Sequence, residues 1–472
     1  MVMQDSIVVE ENRVYITQQH QEEEDTASMI ARKLHERIPV LTIEKELEEA
    51  QEDLNITLSE QQKEAVRMVF ANPISIITGG PGTGKTTVLK IILYIYQKKC
   101  GNEVKLMAPT GRAARRMAES TGSGDATTMH MALGLFGDGD YEALIDELSA
   151  DFINVDEVSM VDMHLAYEFF YKVKAGARVL LVGDVHQLPS VGAGDVFRQL
   201  ILCGKIPVTV LNLVYRQGKD SNIPINAQLI NEGKTNLQWG DDFQMVECSG
   251  ADAAAQIVKN IYLKEIQMYG MEQVQILSPY KVRSAAGVLE LNRSLQDEVN
   301  PPVSGKRELH LGSEIFREGD RILQNKNTEF ASNGDLGILV QIAEDEDNNP
   351  LVQIVFTDGR RVKYEAEQVE MIEHANAITI HKSQGSECQV VIIPWLKAFY
   401  PMLKRNIFYT GITRAKQRVY IVGEWKAVCQ AIHTDDTGTR KTMLAVKIQQ
   451  YCERYQRQEN RRIPATICNR AV

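Results

Sequence analysis

The run Gly79-Gly80-Pro81-Gly82-Thr83-Gly84-Lys85-Thr86-Thr87 fits the phosphate-loop pattern G-x-x-x-x-G-K-[ST] at every position. It constrains the fold more than any other stretch, because such a loop works only between a buried strand and a helix N-terminus. Glycines let backbone N–H groups close around phosphate oxygens, and the helix end adds partial positive charge. The flanks supply both elements. Ile74-Ser75-Ile76-Ile77-Thr78 reads as a short buried strand, and residues 88–97 are largely apolar and free of Gly and Pro, as a helix requires. Lys85 is then placed to reach β- and γ-phosphates, and Thr86 to hold Mg²⁺. The whole run, from Gly79 to Thr87, is expected to line a nucleotide site.

A chain of 472 residues has room for two or three domains with full cores. Its 44% apolar and 24% charged residues exclude a fibrous or disordered class. The net charge of −11 argues against a nonspecific nucleic-acid coat, since the phosphate backbone rewards Lys and Arg. It leaves room for one strand held in a local groove. Apolar runs such as residues 390–396 are too short to span a bilayer. The start lacks a basic segment followed by an apolar core, so no membrane and a cytoplasmic location are expected. Seven cysteines form no C-x-x-C pair, which speaks against zinc or a disulfide framework and fits a reducing compartment.

Taken in order, residues 1–57 read as a connecting region. Two short strands over 6–16 precede a helix over 18–37, whose run Glu22-Glu23-Glu24-Asp25 reads as a solvated face. At the next helix start, Gln62 has two readings. With Ser59 it completes a capping box, and as an amide that donates and accepts it suits an adenine edge. Apolar segments at 104–107, 152–155, 178–182 and 208–211 alternate with helical ones, the pattern of parallel strands buried on both faces. The first α/β domain is placed at 58–206. A second series at 274–277, 377–380, 390–393 and 418–422 gives a second α/β domain, without a phosphate loop, in two pieces at 207–302 and 375–445. Between them, residues 303–374 switch to short turn-separated segments that suggest a small antiparallel barrel. Residues 446–472 form a helical tail whose Arg454, Arg457, Arg461 and Arg462 read as a solvated basic end or a partner contact.

Asp156 and Glu157 follow a buried strand. Two acids at a strand end complement a phosphate loop: Asp156 holds Mg²⁺, and Glu157 orients and deprotonates the attacking water. Past the next strand, Gln187 is placed to sense a γ-phosphate through a neutral amide, and Asp184 also fits a structural turn.

Gly183-Asp184-Val185-His186-Gln187-Leu188-Pro189-Ser190-Val191-Gly192-Ala193-Gly194 resembles motif III of the RecD-like group of superfamily 1 helicases. Other motifs of that family follow in its order over roughly residues 58 to 445. Gln62 resembles the Q motif and residues 79–87 motif I, and the stretches 108–114, 127–130 and 155–160 resemble motifs Ia, Ib and II. Val214-Tyr215-Arg216-Gln217 resembles motif IV, residues 377–387 motif V and residues 409–416 motif VI. The resemblance implies an α/β fold: two RecA-like P-loop domains in tandem, with a small SH3-like β-barrel inserted in the second. It implies that Arg216 and Arg414 act as arginine fingers, that Tyr215 stacks on adenine, and that Gly385 and Glu387 join the nucleotide pocket. Single-stranded DNA would touch Pro109, Thr110, Thr128 and His130 on the first domain, and Thr379, His381, Lys382 and Ser383 on the second. Arg112, Arg115 and Arg116 would support the strand or be solvated.

The implied activity is an ATP- and Mg²⁺-dependent DNA helicase. It would be a monomeric motor moving 5′→3′ on single strands, with a duplex fork and recombination or repair proteins as further partners. The chain departs from the family between His130 and Asp151, where a duplex-splitting hairpin is expected. Residues 134–140 are instead rich in Gly and Asp, and 141–148 read as helix. The long N-terminal region of longer members is absent or reduced to 1–57. Two alternatives therefore stand beside the helicase: a single-strand translocase or remodeller that does not unwind, and an ATP-binding subunit of a recombination complex.

Overall fold

The computed structural model describes residues 7–462 except 11, 102, 125, 136–145, 214–220, 329, 345–348 and 437. The strand before the phosphate loop, Ile74–Gly79, is buried along its whole length, as is Arg178–Gly183 beside it. Strands without a wet face need helices on both sides, and a parallel sheet supplies them. The first sheet has six strands in the order Ala126–Thr128, Val104–Ala108, Phe152–Val155, Arg178–Gly183, Ile74–Gly79, Val208–Leu211, all parallel. The last strand corrects the expected boundary at 206. Ile76 to Gly79 register against Val208 to Leu211, so the first unit runs past 206 and its edge strand lies directly beside the phosphate-loop strand.

The second sheet is also parallel, in the order Ala377–Thr379, Val274–Ser278, Cys388–Trp395, Ala415–Gly423, Phe243–Glu247. Its core gathers Tyr262, Trp395, Phe399, Phe408 and Tyr409. Phe243–Glu247 was not foreseen, because an edge strand with one buried residue in five carries little apolar pattern. Between the pieces of this unit lies an antiparallel five-stranded sheet, Arg361–Tyr364, Pro350–Phe356, Leu336–Glu344, Arg321–Gln324, Ile372–His374. It encloses its own core of Ile322, Leu339, Val352, Ile354 and Tyr364. The fold is thus α/β, with two parallel sheets and an inserted small antiparallel sheet.

The chain ends overturn an expectation. The acidic run on helix Thr17–Leu34 is not a solvated face: Glu22 and Glu23 are buried. That helix packs against Leu444–Arg462. Ala27, Ile30 and Ala31 share one core with Leu444, Ile448 and the first sheet's Ile74 and Ile153. Lys447, 3% exposed, sits 3.2 Å from Glu10, 3.3 Å from Glu23 and 3.0 Å from Glu24. Glu23 also accepts from the Met443 N–H at 3.1 Å, and Glu24 from the Tyr451 hydroxyl at 2.7 Å. The acidic run and the tail are two halves of one clasp on the first unit. Lys447→Met should lower the stability of that unit by about 3 kcal/mol, because it strands carboxylates whose cation is gone. Urea denaturation followed by circular dichroism measures this, and a loss below about 1 kcal/mol would mean the carboxylates simply rehydrate.

Candidate active site between the two parallel sheets

The phosphate loop joins Ile74–Gly79 to helix Lys85–Lys99. Gly82 and Gly84 have φ of 76° and 86°, a backbone region that glycine enters at little cost. At Gly79 the constraint is space, since a Cβ would lie 2.7 Å from the Leu211 carbonyl oxygen and 2.8 Å from Thr83 Oγ1. The loop closes on itself: Thr83 Oγ1 donates to the Gly80 carbonyl at 2.8 Å, and Lys85 Nζ donates to the carbonyls of Gly79 and Gly80 at 2.5 and 3.0 Å. The ammonium therefore lies within the turn of the loop. Pro81 and Thr86 are half-buried on its rim, with Thr87 on the same first helical turn.

Gln62 takes the capping role. Its Oε1 accepts from the Ser59 N–H at 3.0 Å, and its own N–H bonds Ser59 Oγ at 3.2 Å. Its Nε2 donates to the Thr83 carbonyl at 3.3 Å. The side chain is buried and ties a helix cap to the phosphate loop, rather than presenting its amide to a base.

Asp156 ends the strand Phe152–Val155, and its Oδ1 accepts from the Glu157 N–H at 2.8 Å. Glu157 has φ of 52°, strained for a non-glycine residue and of the kind held at functional sites. Burial, then the neighbouring Glu157, push the Asp156 carboxyl up to about 6, against the pull of Lys85 and Arg116. A half-buried pair of adjacent acids beside the phosphate loop fits a divalent cation. Asp156 and the Thr86 hydroxyl offer the hard oxygen ligands that Mg²⁺ takes.

From the second sheet, helix Arg405–Ile412 brings Tyr409 and Thr410 to this cleft. Asp184 is fully buried and accepts from the Tyr409 hydroxyl at 2.8 Å, the His186 N–H at 3.0 Å and Gln187 Nε2 at 3.4 Å. It is a turn residue and an interdomain bolt at once. Leu188 N–H donates to Thr410 Oγ1 at 2.9 Å, and Gln384 Nε2 donates to the Leu188 carbonyl at 3.1 Å. A Cβ on Gly80 would lie 3.2 Å from the Tyr409 hydroxyl, so this phenol lies between the phosphate loop and Asp184. Burial, then Asp184, hold its pKa well above the usual tyrosine value and keep it a donor. Sequence reasoning missed Tyr409 because a tyrosine inside an apolar helix reads as core. Gln187 Oε1 is buried and has no partner among the described residues.

Other expected residues make contacts within the protein. Arg414 is buried, and its guanidinium donates to the carbonyls of Thr410 and Ser386, both at 3.3 Å, within its own unit. Gly385, with φ of 73°, packs against Thr110, where its Cβ would lie 3.0 Å from Oγ1. Glu387 pairs with Arg116 at 2.7 Å and Lys416 at 3.3 Å. Arg115 pairs with Asp335 and, at 3.3 Å, with Asp358, and Arg112 donates to the Gly334 carbonyl. Burial lowers the Arg112 pKa to about 10. These three arginines join helix Gly111–Thr121 to the inserted sheet and the second unit, with Arg115 and Arg116 still partly exposed. Tyr215 and Arg216 lie outside the described residues, as do residues 136–145 of the segment where a duplex-splitting hairpin is expected.

Among the strand candidates, Thr110 and Thr128 cap helices through the N–H groups of Ala113 and Met131, at 3.3 and 3.2 Å. Both are half-buried, as is Pro109, and His130 is exposed. Thr379 Oγ1 accepts from the Lys382 N–H at 3.2 Å. The Lys382 ammonium is taken by Asn325 at 2.7 Å and Glu373 at 3.0 Å. Ser383 is buried and donates to the Ile380 carbonyl at 2.7 Å, so its hydroxyl closes a turn and does not face a groove. His381 lines an interdomain cavity of about 380 Å³ with Gln187, Pro189, Lys404 and Arg440.

Because Tyr409 supplies the hydroxyl donor that Asp184 receives from across the cleft, Tyr409→Phe should cost about 2 kcal/mol, the worth of a buried hydrogen bond to a charge. Differential scanning calorimetry reads this as an earlier first transition. An unchanged transition would show that Asp184 finds another donor.

Residues 57–251 match the family model for an AAA domain, residues 291–356 the ATP-dependent RecD-like DNA helicase SH3 domain, and residues 374–422 the UvrD-like helicase C-terminal domain. The chain is 34% identical over 372 residues to the ATP-dependent RecD2 DNA helicase of Deinococcus radiodurans, covering 78% of this chain and 50% of that protein. It is 28% identical over 433 residues to the RecBCD enzyme subunit RecD of Mycolicibacterium smegmatis, covering 81% and 75%. The corresponding subunit of Haemophilus influenzae is 27% identical over 463 residues, with 81% and 72% covered. The chain thus spans half the length of the Deinococcus relative and about three quarters of the two RecD subunits. With the phosphate-loop unit, the inserted sheet and the second parallel sheet each matched, the chain belongs to the RecD-like family of superfamily 1 DNA helicases.

Proposed function

We propose that this chain is an ATP-driven motor that moves 5′→3′ along single-stranded DNA and separates a duplex at a fork. The observation that carries the reading is the closure of one cleft from both sides. Lys85, Asp156 and Glu157 stand on the first sheet, and Tyr409, Thr410 and Gln384 reach its turn residues Asp184 and Leu188 from the second.

Bound Mg²⁺·ATP would supply the anhydride bond and the negative charge that this cleft is built to meet. Lys85 would exchange the Gly79 and Gly80 carbonyls for phosphate oxygens. Thr86 and Asp156 would hold the cation. Glu157 orients a water and takes its proton, and Gln187 uses its unpartnered Oε1 to fix that water. Arg414 and Arg216 are the candidate fingers. Arg414 has to leave its carbonyl partners to act, which makes its engagement a closing step. Nucleotide-dependent closure then moves the two units past one another, and Pro109, Thr110, Thr128, His130, Thr379 and His381 hold the strand through phosphate and stacking contacts.

The direction of travel and the preference for DNA rest on the resemblance of the motifs to RecD-like helicases. A repair or recombination role rests on the names of the relatives. No helix among the described residues is long and apolar enough to cross a membrane. Translocation without unwinding is the second reading, favoured by the Gly- and Asp-rich sequence at 134–140. A streptavidin-displacement assay beside a forked-duplex assay separates the two.

Glu157→Gln should lower DNA-stimulated ATP hydrolysis by about 10²-fold or more, the usual contribution of a positioned base. Binding of a fluorescent nucleotide should be retained; hydrolysis at the parent rate would remove Glu157 from the chemistry. Unwinding of a 5′-tailed duplex but not a 3′-tailed one is expected, and the reverse would overturn the direction.

A further inference from the structure

The chain passes between its two parallel-sheet units more than once. The later passage is residues 434–443, between helix Trp425–His433 on the second unit and helix Leu444–Arg462 on the first. This strap is tied at both ends. On the second unit, the Arg405 N–H donates to the Thr434 carbonyl at 2.9 Å, and Arg405 and Lys404 pair with Asp435 and Asp436, both at 2.8 Å. Arg405 is the first residue of the helix that carries Tyr409 and Thr410. On the first unit, Thr442 Oγ1 donates to Glu23 at 2.5 Å, inside the clasp of the terminal helices.

Between these ties, Arg440 turns into the loop that follows Gln187 and Leu188. Its Nη1 donates to the carbonyls of Gly192 at 2.8 Å and Gly194 at 2.6 Å, and to Ser190 Oγ at 3.4 Å; its Nη2 donates to the Ser190 carbonyl at 2.6 Å. Three carbonyls of one short loop converge on one guanidinium. That uses its planar fork of donors, which a point charge does not reproduce. The loop's other side is held by the first unit. The Met163 N–H donates to the Ala193 carbonyl at 2.9 Å, and Gly192 has no room for a side chain beside Asp162. Val191, at the tip between the pinned residues, is 88% exposed. The guanidinium thus braces the stretch that begins with Gln187, and the strap connects that brace to the helix of Tyr409 and Thr410.

We propose that Arg440 is a positioning residue for Gln187. It locks the 190–194 loop to the strap, so that movement of the Arg405–Ile412 helix is transmitted to the residue that faces the nucleotide. The inference rests on the ATPase reading for its catalytic consequence, but the positioning itself is measurable without turnover.

The test uses the full chain with Arg440→Ala, and with Arg440→Lys as a variant that keeps charge and loses the fork. Hydrogen–deuterium exchange without nucleotide should show amides over 187–194 exchanging about tenfold faster in Arg440→Ala, with 163–172 unchanged. In DNA-stimulated ATP hydrolysis, kcat should fall about tenfold while KM for ATP and affinity for a fluorescent ADP stay within about twofold. Arg440→Lys should recover about a third of the lost rate. Unchanged exchange over 187–194 overturns the proposal, as does faster exchange spreading to 163–172 in both variants, or a fall in kcat matched by a rise in KM. If the parent chain hydrolyses no ATP, the functional reading fails, and the exchange measurement still decides whether Arg440 positions the loop.

Discussion

A carboxylate buried without solvent has to be met by donors, and Asp184 is met from both sides of the cleft. Its own turn offers the His186 N–H and the Gln187 amide, and the second unit offers the Tyr409 hydroxyl. Separating the units breaks the Tyr409 bond and has to rehydrate the charge, so the two sheets are coupled through a group that cannot be left half satisfied. The neighbouring bonds from Leu188 to Thr410 and from Gln384 to Leu188 extend the same contact. Everything proposed about closure depends on this patch, because it joins the turn after Arg178–Gly183 to the helix that leads into Arg414.

Two further bridges hold the units around that patch. On one side, helix Gly111–Thr121 sends Arg112, Arg115 and Arg116 to Gly334, Asp335, Asp358 and Glu387. On the other, the strap at 434–443 returns to the first unit under Arg440. The bridges differ in character. Exposed parts of the arginine set are open to screening by salt, whereas Arg440 binds neutral carbonyls and is tied to a backbone.

Much of the site was legible in the residues themselves. The phosphate loop declared its strand and helix because its spacing leaves few other folds for Gly82 and Gly84. Asp156 and Glu157 draw attention only because two acids at a strand end accompany a complete phosphate loop. Two unforeseen strands of the parallel sheets, Ala126–Thr128 and Phe243–Glu247, are short edge strands that are mostly half-buried, where apolar periodicity fades. For Gln62 the sequence leaves two uses open, a helix cap and an adenine contact. The amide geometry chose the cap, because the Ser59 N–H and the Thr83 carbonyl lie within reach of one side chain.

Local chemistry alone determined the phosphate loop, the acid pair at the end of a buried strand, the alternation that makes parallel sheets and the break into an antiparallel insert. These features are set by residues within one turn or one strand of each other, where spacing and backbone geometry are tightly linked. Only the tertiary structure decided that Glu23 and Lys447 would meet, that Arg112, Arg115 and Arg116 would serve as bridges, that Tyr409 would bind Asp184, and that Arg440 would brace the loop after Gln187. In each case a charged or polar group finds its partner hundreds of residues away. A sequence shows that such a group needs a partner when buried, but not which distant element the fold will bring to it.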